Sequence, residues 1–598
     1  MLRWLLAIFL LASLAARADE ASAVITGVIT SNGRPAARVP VKSDEGFVTT
    51  TNDRGEYRLI VTPGHRWVSS GTDHADVYVA AGDTTRADLH ADVIREMFFF
   101  EPRDDREHAM AEVSLQQQDL LRLPIGRTLD DVTRIAPGAR GTNFGRSILG
   151  SATGGNSAFI DGVETPGLPN VQLPLEFYDT VNILTIGQRL EFGHATGGLL
   201  LATTPARSRA RTTAFLYYQP RQSSTSGVFT TATRHWDAGF TTSVPFTDRL
   251  WLFAGYDHFA GDEEHSGLGV FRDRSTVDAM LAKLEFTATP SMKLIAEGFG
   301  DPGRTGFDEG SFHTGSESGL LRAIANNSTW LAEGGASHSS LRGSDFRFSH
   351  TTWVNANVER MFAHHVLRGG VEYAREPVYD FTFIGSSEDS RYSAAYLGDS
   401  WYAKENLVVE GGIRHQDLQG IGDTWLPRAS VIWRQSRDLK LFATYGRYGD
   451  DLALAAPFSS PVTMREASAG AELTMFFPLS VRLVHREIEG RSLNGALVEV
   501  AGDIAALRIH LADLIVSHDD GYANVFSDFP ERRHQASLTA SLPIGIAEAG
   551  VIVTRPDQFV ADLHLGLRLN KVTLVADVMN VTGRDGDRIA RFGIRAAL

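Results

Sequence analysis

From residue 211 to residue 598 the chain alternates apolar and polar side chains, and this period of two limits what it can fold into. Over 406–414, Leu407, Val409, Gly411 and Ile413 fall on one face, with Asn406, Glu410 and Arg414 on the other. Residues 571–578 repeat the arrangement, setting Val572, Leu574, Ala576 and Val578 against Lys571, Thr573 and Asp577. Such strands have one apolar and one wet face. Apart from a short N-terminal stretch there is no long apolar run, and a membrane helix needs about 20 apolar residues. If the chain enters a membrane, it must do so as a closed barrel, because only helices and closed barrels satisfy every backbone group in hydrocarbon. Short polar turns at 247–249, 404–406 and 436–438 mark one rim. Longer Gly-, Ser- and Asp-rich pieces, such as 301–318 and 518–528, read as outward loops on the other. The strand candidates number about 20–22, and a barrel of that width needs a plug.

Composition narrows the class further. A net charge of −15 argues against a nucleic-acid partner, which requires a basic face to meet phosphates. The absence of cysteine excludes disulfides, thiolate metal sites, cysteine nucleophiles and a lipidated N-terminal cysteine. Residues 1–18 read as a secretory signal peptide: Arg3 supplies the positive charge, 5–14 the apolar stretch, and Ala16-Arg17-Ala18 the cleavage site. That stretch is too short to be an anchor.

Three segments precede the alternating region. Residues 19–92 read as a small β-sandwich, with a strand over 24–29, a turn at Asn32-Gly33 and a strand–turn–strand unit around Asn52-Asp53-Arg54-Gly55. Residues 93–110 form a charged linker interrupted by Met97-Phe98-Phe99-Phe100. Within 111–208, Thr128 caps a short helix carrying Leu129, Val132 and Ile135, and Pro137-Gly138 ends it. Phe159-Ile160 is a strand followed by a tight Asp161-Gly162 turn. Val181, Ile183 and the glycines at 193, 197 and 198 lead into another apolar strand.

These segments resemble known families. "ITGVITSNGRPAARVPV" with "TTTNDRGEYRLIVTPG" resembles carboxypeptidase regulatory-like domains, which have a transthyretin-like sandwich. "LPIGRTLDDVTRIAPGA", "FIDGVE" and "EFGHATGGLLLATTP" resemble, in order and spacing, the plug of TonB-dependent receptors, particularly the Oar-like branch. Residues 201–205 depart from that pattern where the family continues with Asn and a Thr-Lys-Ser-Gly turn. "YSAAYLGDSWYAKENLVVEGGIRHQ", "LPRASVIWRQSRDLKLFATYGRYGD" and "LVADVMNVTGRDGDRIARFGIRAAL" resemble barrel segments of the same branch. The last places Phe592, Ile594, Ala596 and Leu598 on one face, as a signal for the barrel-assembly machinery would, although such signals commonly end in an aromatic residue.

The resemblance implies an all-β-dominated chain: a transmembrane antiparallel β-barrel of about 22 strands over 209–598, an internal α+β plug over 111–208, and the N-terminal sandwich. It implies a Gram-negative outer-membrane location amid lipid and lipopolysaccharide. It also implies a TonB-type energy-transducing partner that pulls on the plug so that an unidentified substrate crosses, with no cofactor and no covalent chemistry. A partner-binding box is expected near the linker; 93–100 is the candidate, and a packing strand is the other reading of it. A structural or adhesive barrel is the alternative function, favoured by the short loops and the lack of a clear box.

The site candidates follow from this layout. Arg127, Arg134, Arg140 and Arg146 lie in the plug, and Glu410 faces the lumen. Arg–carboxylate pairs between Arg127, Arg134 or Arg140 and residues such as Glu410 would lock plug to barrel; solvation in a wet lumen is the other reading. Substrate contacts are expected at the outward apex over 140–156, from Asn143, Arg146 and Asn156. No catalytic or metal site is expected. His518-Asp519-Asp520 reads as an acidic loop tip lacking three or four convergent ligands. Residues 193–198 carry no Gly-Lys-Ser/Thr and read as turn chemistry, not as a phosphate cradle.

Overall fold

The computed structural model describes residues 23–90 and 111–597, apart from short internal stretches that include 138, 143–144, 149–156, 165–172, 188, 194–196, 378–388, 451–461, 519–531 and 582–588. The expected signal peptide, the candidate box at 93–100 and most of 518–528 lie outside the described residues.

Residues 23–90 form two sheets. Ala23–Ser31 lies between Arg34–Pro35 and Glu56–Val61 and also runs parallel to Thr84–Arg86 and Leu89–His90. Val48–Thr50, Pro40–Ser43, Gly64–Ser70 and Asp73–Val79 make the second sheet. Ile25, Ile29, Leu59, Val68 and Val79 pack together in one core shared by both. The unit around Asn52 is a connection between sheets rather than a hairpin. Asn52 Oδ1 accepts the backbone N–H groups of Arg54 and Glu56, and Gly55 takes φ 72°, which turns the chain from the second sheet into the first.

Residues 111–203 build a mixed sheet in the order Ala111–Gln116, Thr180–Ile186, Leu199–Thr203, Ser157–Ile160, Val163–Glu164. The Asp-Gly turn forms as its sequence predicts: Asp161 (φ 49°) and Gly162 (φ 83°) reverse Ser157–Ile160 into Val163–Glu164. Thr128 caps the helix Leu129–Thr133 in a capping box with Asp131. Leu199–Thr203 is buried at every position, because both faces of this sheet are covered.

The cover is the barrel. Strands from Arg211–Ser226 to Ile589–Ala597 pair antiparallel with their sequence neighbours, and the first pairs with the last from Thr213↔Ala597 to Tyr218↔Phe592. Met292–Gly300 and Gly303–Phe307 both lie between Val270–Thr289 and Gly310–Asn326, so they are two halves of one strand and the closed barrel has 22. Closure leaves no edge, and every strand's backbone is satisfied within the sheet. The side chains alternate as expected. Leu216, Tyr218, Ile413, Leu574 and Phe592 are exposed on the outer wall, while Phe215, Tyr217, Arg414 and Asp577 are buried inside. Val113, Leu129, Ile183, Phe215, Tyr217, Trp251 and Phe253 belong to a single hydrophobic cluster, so the inner wall and the enclosed domain share a core.

Residues 301–318 are not an outward loop. Gly303–Phe307 and the start of Gly310–Asn326 form a hairpin that continues the barrel wall, interrupted at Asp301-Pro302. Ser316 donates its N–H to Asp301 Oδ1 at 2.6 Å, and Asp301 N donates to Ser316 O at 2.9 Å, which ties the interruption to the next strand. The Gly- and Ser-rich composition that suggests a loop belongs to a strand whose inner side is crowded: Ser316 and Ser318 are buried.

Candidate functional site

The seam between plug and barrel carries the chemistry. Its polar residues sit on inward positions of barrel strands and meet plug turns and helix ends. Plug arginines reach barrel carboxylates at Arg127, Arg134 and Arg122. Arg127 pairs with Asp257 and, at 3.4 Å, with Asp237, and lies over the Phe259 ring at 4.8 Å. Arg134 pairs with Asp562 at 3.2 Å. Arg122 meets Glu548 at 3.3 Å, and Arg595 meets the same carboxylate at 2.7 Å.

The polarity reverses at the Asp-Gly turn. Asp161 accepts from Thr204 and pairs with barrel Lys283 at 3.1 Å, both ions 1% exposed. Burial alone would raise the Asp161 pKa; the Lys283 ammonium, the neighbouring Glu297 carboxyl and the Thr204 hydrogen bonds outweigh it and hold the carboxyl below its usual range.

Barrel arginines also hold plug main chain. Arg322 donates to Asp161 O at 3.4 Å, Arg591 to Gly126 O at 3.2 Å, and Arg486 to Thr185 O. Arg414 and Arg428 bind carbonyls of residues 189–192. Hydrogen bonds to a charged donor contribute about 1.5–3 kcal/mol each.

Glycines on the wall let the plug approach. A Cβ on Gly550 would lie 1.9 Å from Arg122 O, and one on Gly255 would lie 2.6 Å from the Phe177 ring. Leu190 sits against paired glycines of neighbouring strands, where Cβ atoms on Gly398 and Gly412 would lie 2.6 and 2.1 Å from its Cδ1.

The sequence candidates are distributed unevenly over this seam. Arg127 and Arg134 stand in ion pairs with the barrel, through Asp237, Asp257 and Asp562 and not through Glu410. Glu410 accepts from Ser400 at 3.1 Å and Ser430 at 2.7 Å, and lines a cavity with plug residues Arg189 and Glu191. Arg140 and Arg146 lie on the paired strands Ala139–Thr142 and Gly145–Ile148. Asn143 and Asn156 lie outside the described residues. Sequence reasoning missed the wall arginines that bind plug carbonyls. The signal was there, because Arg414 falls on the wet face of its strand by alternation; what alternation lacks is what fills the lumen opposite it.

A lumen filled by a separate domain and clamped from the wall around it defines a plugged β-barrel. No family model matches the chain. Over 281 residues it is 27% identical to the TonB-dependent transporter Oar of Myxococcus xanthus, a match covering 40% of this chain and 26% of that protein. Among solved structures, the siderophore receptor PirA from Acinetobacter baumannii superposes with a TM-score of 0.67 at 12% identity, over 81% of this chain and 98% of that one. The alcaligin outer-membrane receptor FauA from Bordetella pertussis gives 0.63 at 15% identity, over 82% and 95%. The fold is therefore that of the TonB-dependent receptors, and the similar proteins are transporters and receptors rather than enzymes.

Proposed function

We propose that this chain is a TonB-dependent outer-membrane transporter that takes up an unidentified substrate through its plugged barrel. The observation that carries the reading is the seam. The 22-stranded barrel is wide enough to pass a solute, and the domain inside it is held against the wall by many separable hydrogen bonds and ion pairs, with no disulfide across the seam. A wall built this way suits a plug that a periplasmic partner can pull. The relationship to Oar supports the same reading. In this reading residues 1–18 are a signal peptide and 19–92 a carboxypeptidase regulatory-like domain, a module with no catalytic role. The segment 93–100 is the candidate contact for a TonB-type complex. The rim opposite the plug's entry faces outward, and Asn143, Arg146 and Asn156 at the apex meet substrate. Lipopolysaccharide surrounds the barrel, and the assembly machinery reads its last strand.

The test is uptake of labelled candidate solutes (ferric siderophores, cobalamin, oligosaccharides, peptides) by cells carrying the chain, with and without the energising complex. Energy-dependent uptake of one class is the expected result. A barrel that binds or adheres but moves none of them would be a structural outer-membrane protein, the second reading. The short connections favour that alternative, the longest between barrel strands being the 13 residues after His518.

A further inference from the structure

Among the described residues, 189–193 take the densest set of wall-arginine hydrogen bonds to plug carbonyls. Phe192 N donates to Arg189 O at 3.2 Å and closes a turn. The four carbonyls of Arg189, Leu190, Glu191 and Phe192 all accept from two barrel arginines on neighbouring strands. Arg428 donates to Arg189 O and, at 2.8 Å, to Phe192 O. Arg414 donates to Leu190 O at 3.2 Å and to Glu191 O at 3.4 Å. The side chains of Arg189 and Glu191 pair with each other at 2.6 Å. The wall's hydrogen bonds here go to neutral carbonyls, with the Arg368 charge acting on Glu191 beside them. When the turn leaves, Arg414 keeps Glu372 and Tyr392, and Arg428 keeps the Tyr448 ring. At Asp161–Lys283 or Arg127–Asp257, separation breaks a direct buried ion pair.

Beside this turn lies a cavity whose barrel wall includes Arg368, Ser400, Glu410, Ser430, Thr444 and Tyr448. Hydroxyls and charges of both signs suit a hydrated polar solute and repel an apolar one. We propose that residues 189–193 are the releasable latch of the plug, and that a hydrophilic solute passes through this cavity once the turn leaves Arg414 and Arg428. The solute's passage rests on the transport reading above; the latch itself can be tested without any substrate.

The native chain has no cysteine, so an engineered pair is unambiguous. Leu190→Cys with Gly398→Cys places two thiols where Leu190 Cδ1 now meets the wall. The measurement is ion conductance of the purified full chain in planar bilayers as sub-denaturing urea loosens the plug. The reduced pair should open as the native chain does. The oxidised pair should open several-fold less often, and reductant should restore opening. Arg414→Ala with Arg428→Ala, once heat-modifiable migration shows a folded barrel, should open at lower urea than native. An oxidised pair that opens as readily as the reduced one would overturn the latch, as would two thiols that never bridge. If the arginine variant does not fold, the cysteine pair decides alone. Failed uptake alongside an intact latch response would sink only the transport reading.

Discussion

Lys283 and Asp161 set the largest single-residue stake in the seam, since both are almost wholly buried and face each other across the plug–barrel boundary. Lys283→Met should destabilise plug seating by about 3–5 kcal/mol, because it strands a buried carboxylate; urea-induced exposure of plug peptides to protease reads this directly. Adding Asp161→Asn should recover part of the loss. The same pair has a pH signature. The Asp161 carboxyl is held below its usual range in the folded chain, so its contribution is fully present above that range. It is lost as pH falls through the depressed folded value, so the contribution of this pair to plug retention should weaken on the acid side of about pH 4. Retention unchanged down to strongly acid pH would contradict this. A second residue-scale case is Gly550→Ala, whose Cβ would meet the Arg122 carbonyl at 1.9 Å. Two backbones must then part, at a cost of about 1–3 kcal/mol, which thermal unfolding of the plug would show.

At the scale of single elements, alternation can be checked along Leu407–Leu418. Cysteines at Val409 and Ile413 should react with lipid-borne probes. Cysteines at Glu410 and Gln416 should be shielded from them, and a pattern without period two would refute the strand's placement. Much of this level was legible beforehand. The Asp161-Gly162 hairpin, the Thr128 cap and the two faces of 406–414 follow from local rules that need no tertiary information. What was not legible has a common cause. Gly303–Phe307 and Gly310–Asn326 look like loop because small residues serve both turns and crowded inner walls. Arg414 and Arg428 look like solvated lumen residues because their partners are backbone carbonyls, which leave no mark on composition. Of the plug residues in ion pairs across the seam, Arg127 and Arg134 were identifiable by charge and position, but their partners Asp257 and Asp562 required the barrel's register.

For the molecule as a whole, barrel and plug depend on each other. The wall's inner charges include Arg414, Arg486 and Lys283, all buried and bonded to plug groups. Without the plug these groups line a wide wet lumen; with it they are the seam. Residues 211–597 close a membrane-spanning barrel, and 111–203 fill it. Single-channel conductance checks this by comparing the intact chain with one lacking 111–203 in the same bilayer. The intact chain should insert and stay closed, while the deleted form should show large, stable openings of a wide aqueous pore. An intact chain that conducts as freely as the deleted one, or a deleted form that inserts yet stays closed, would contradict a lumen sealed by its plug.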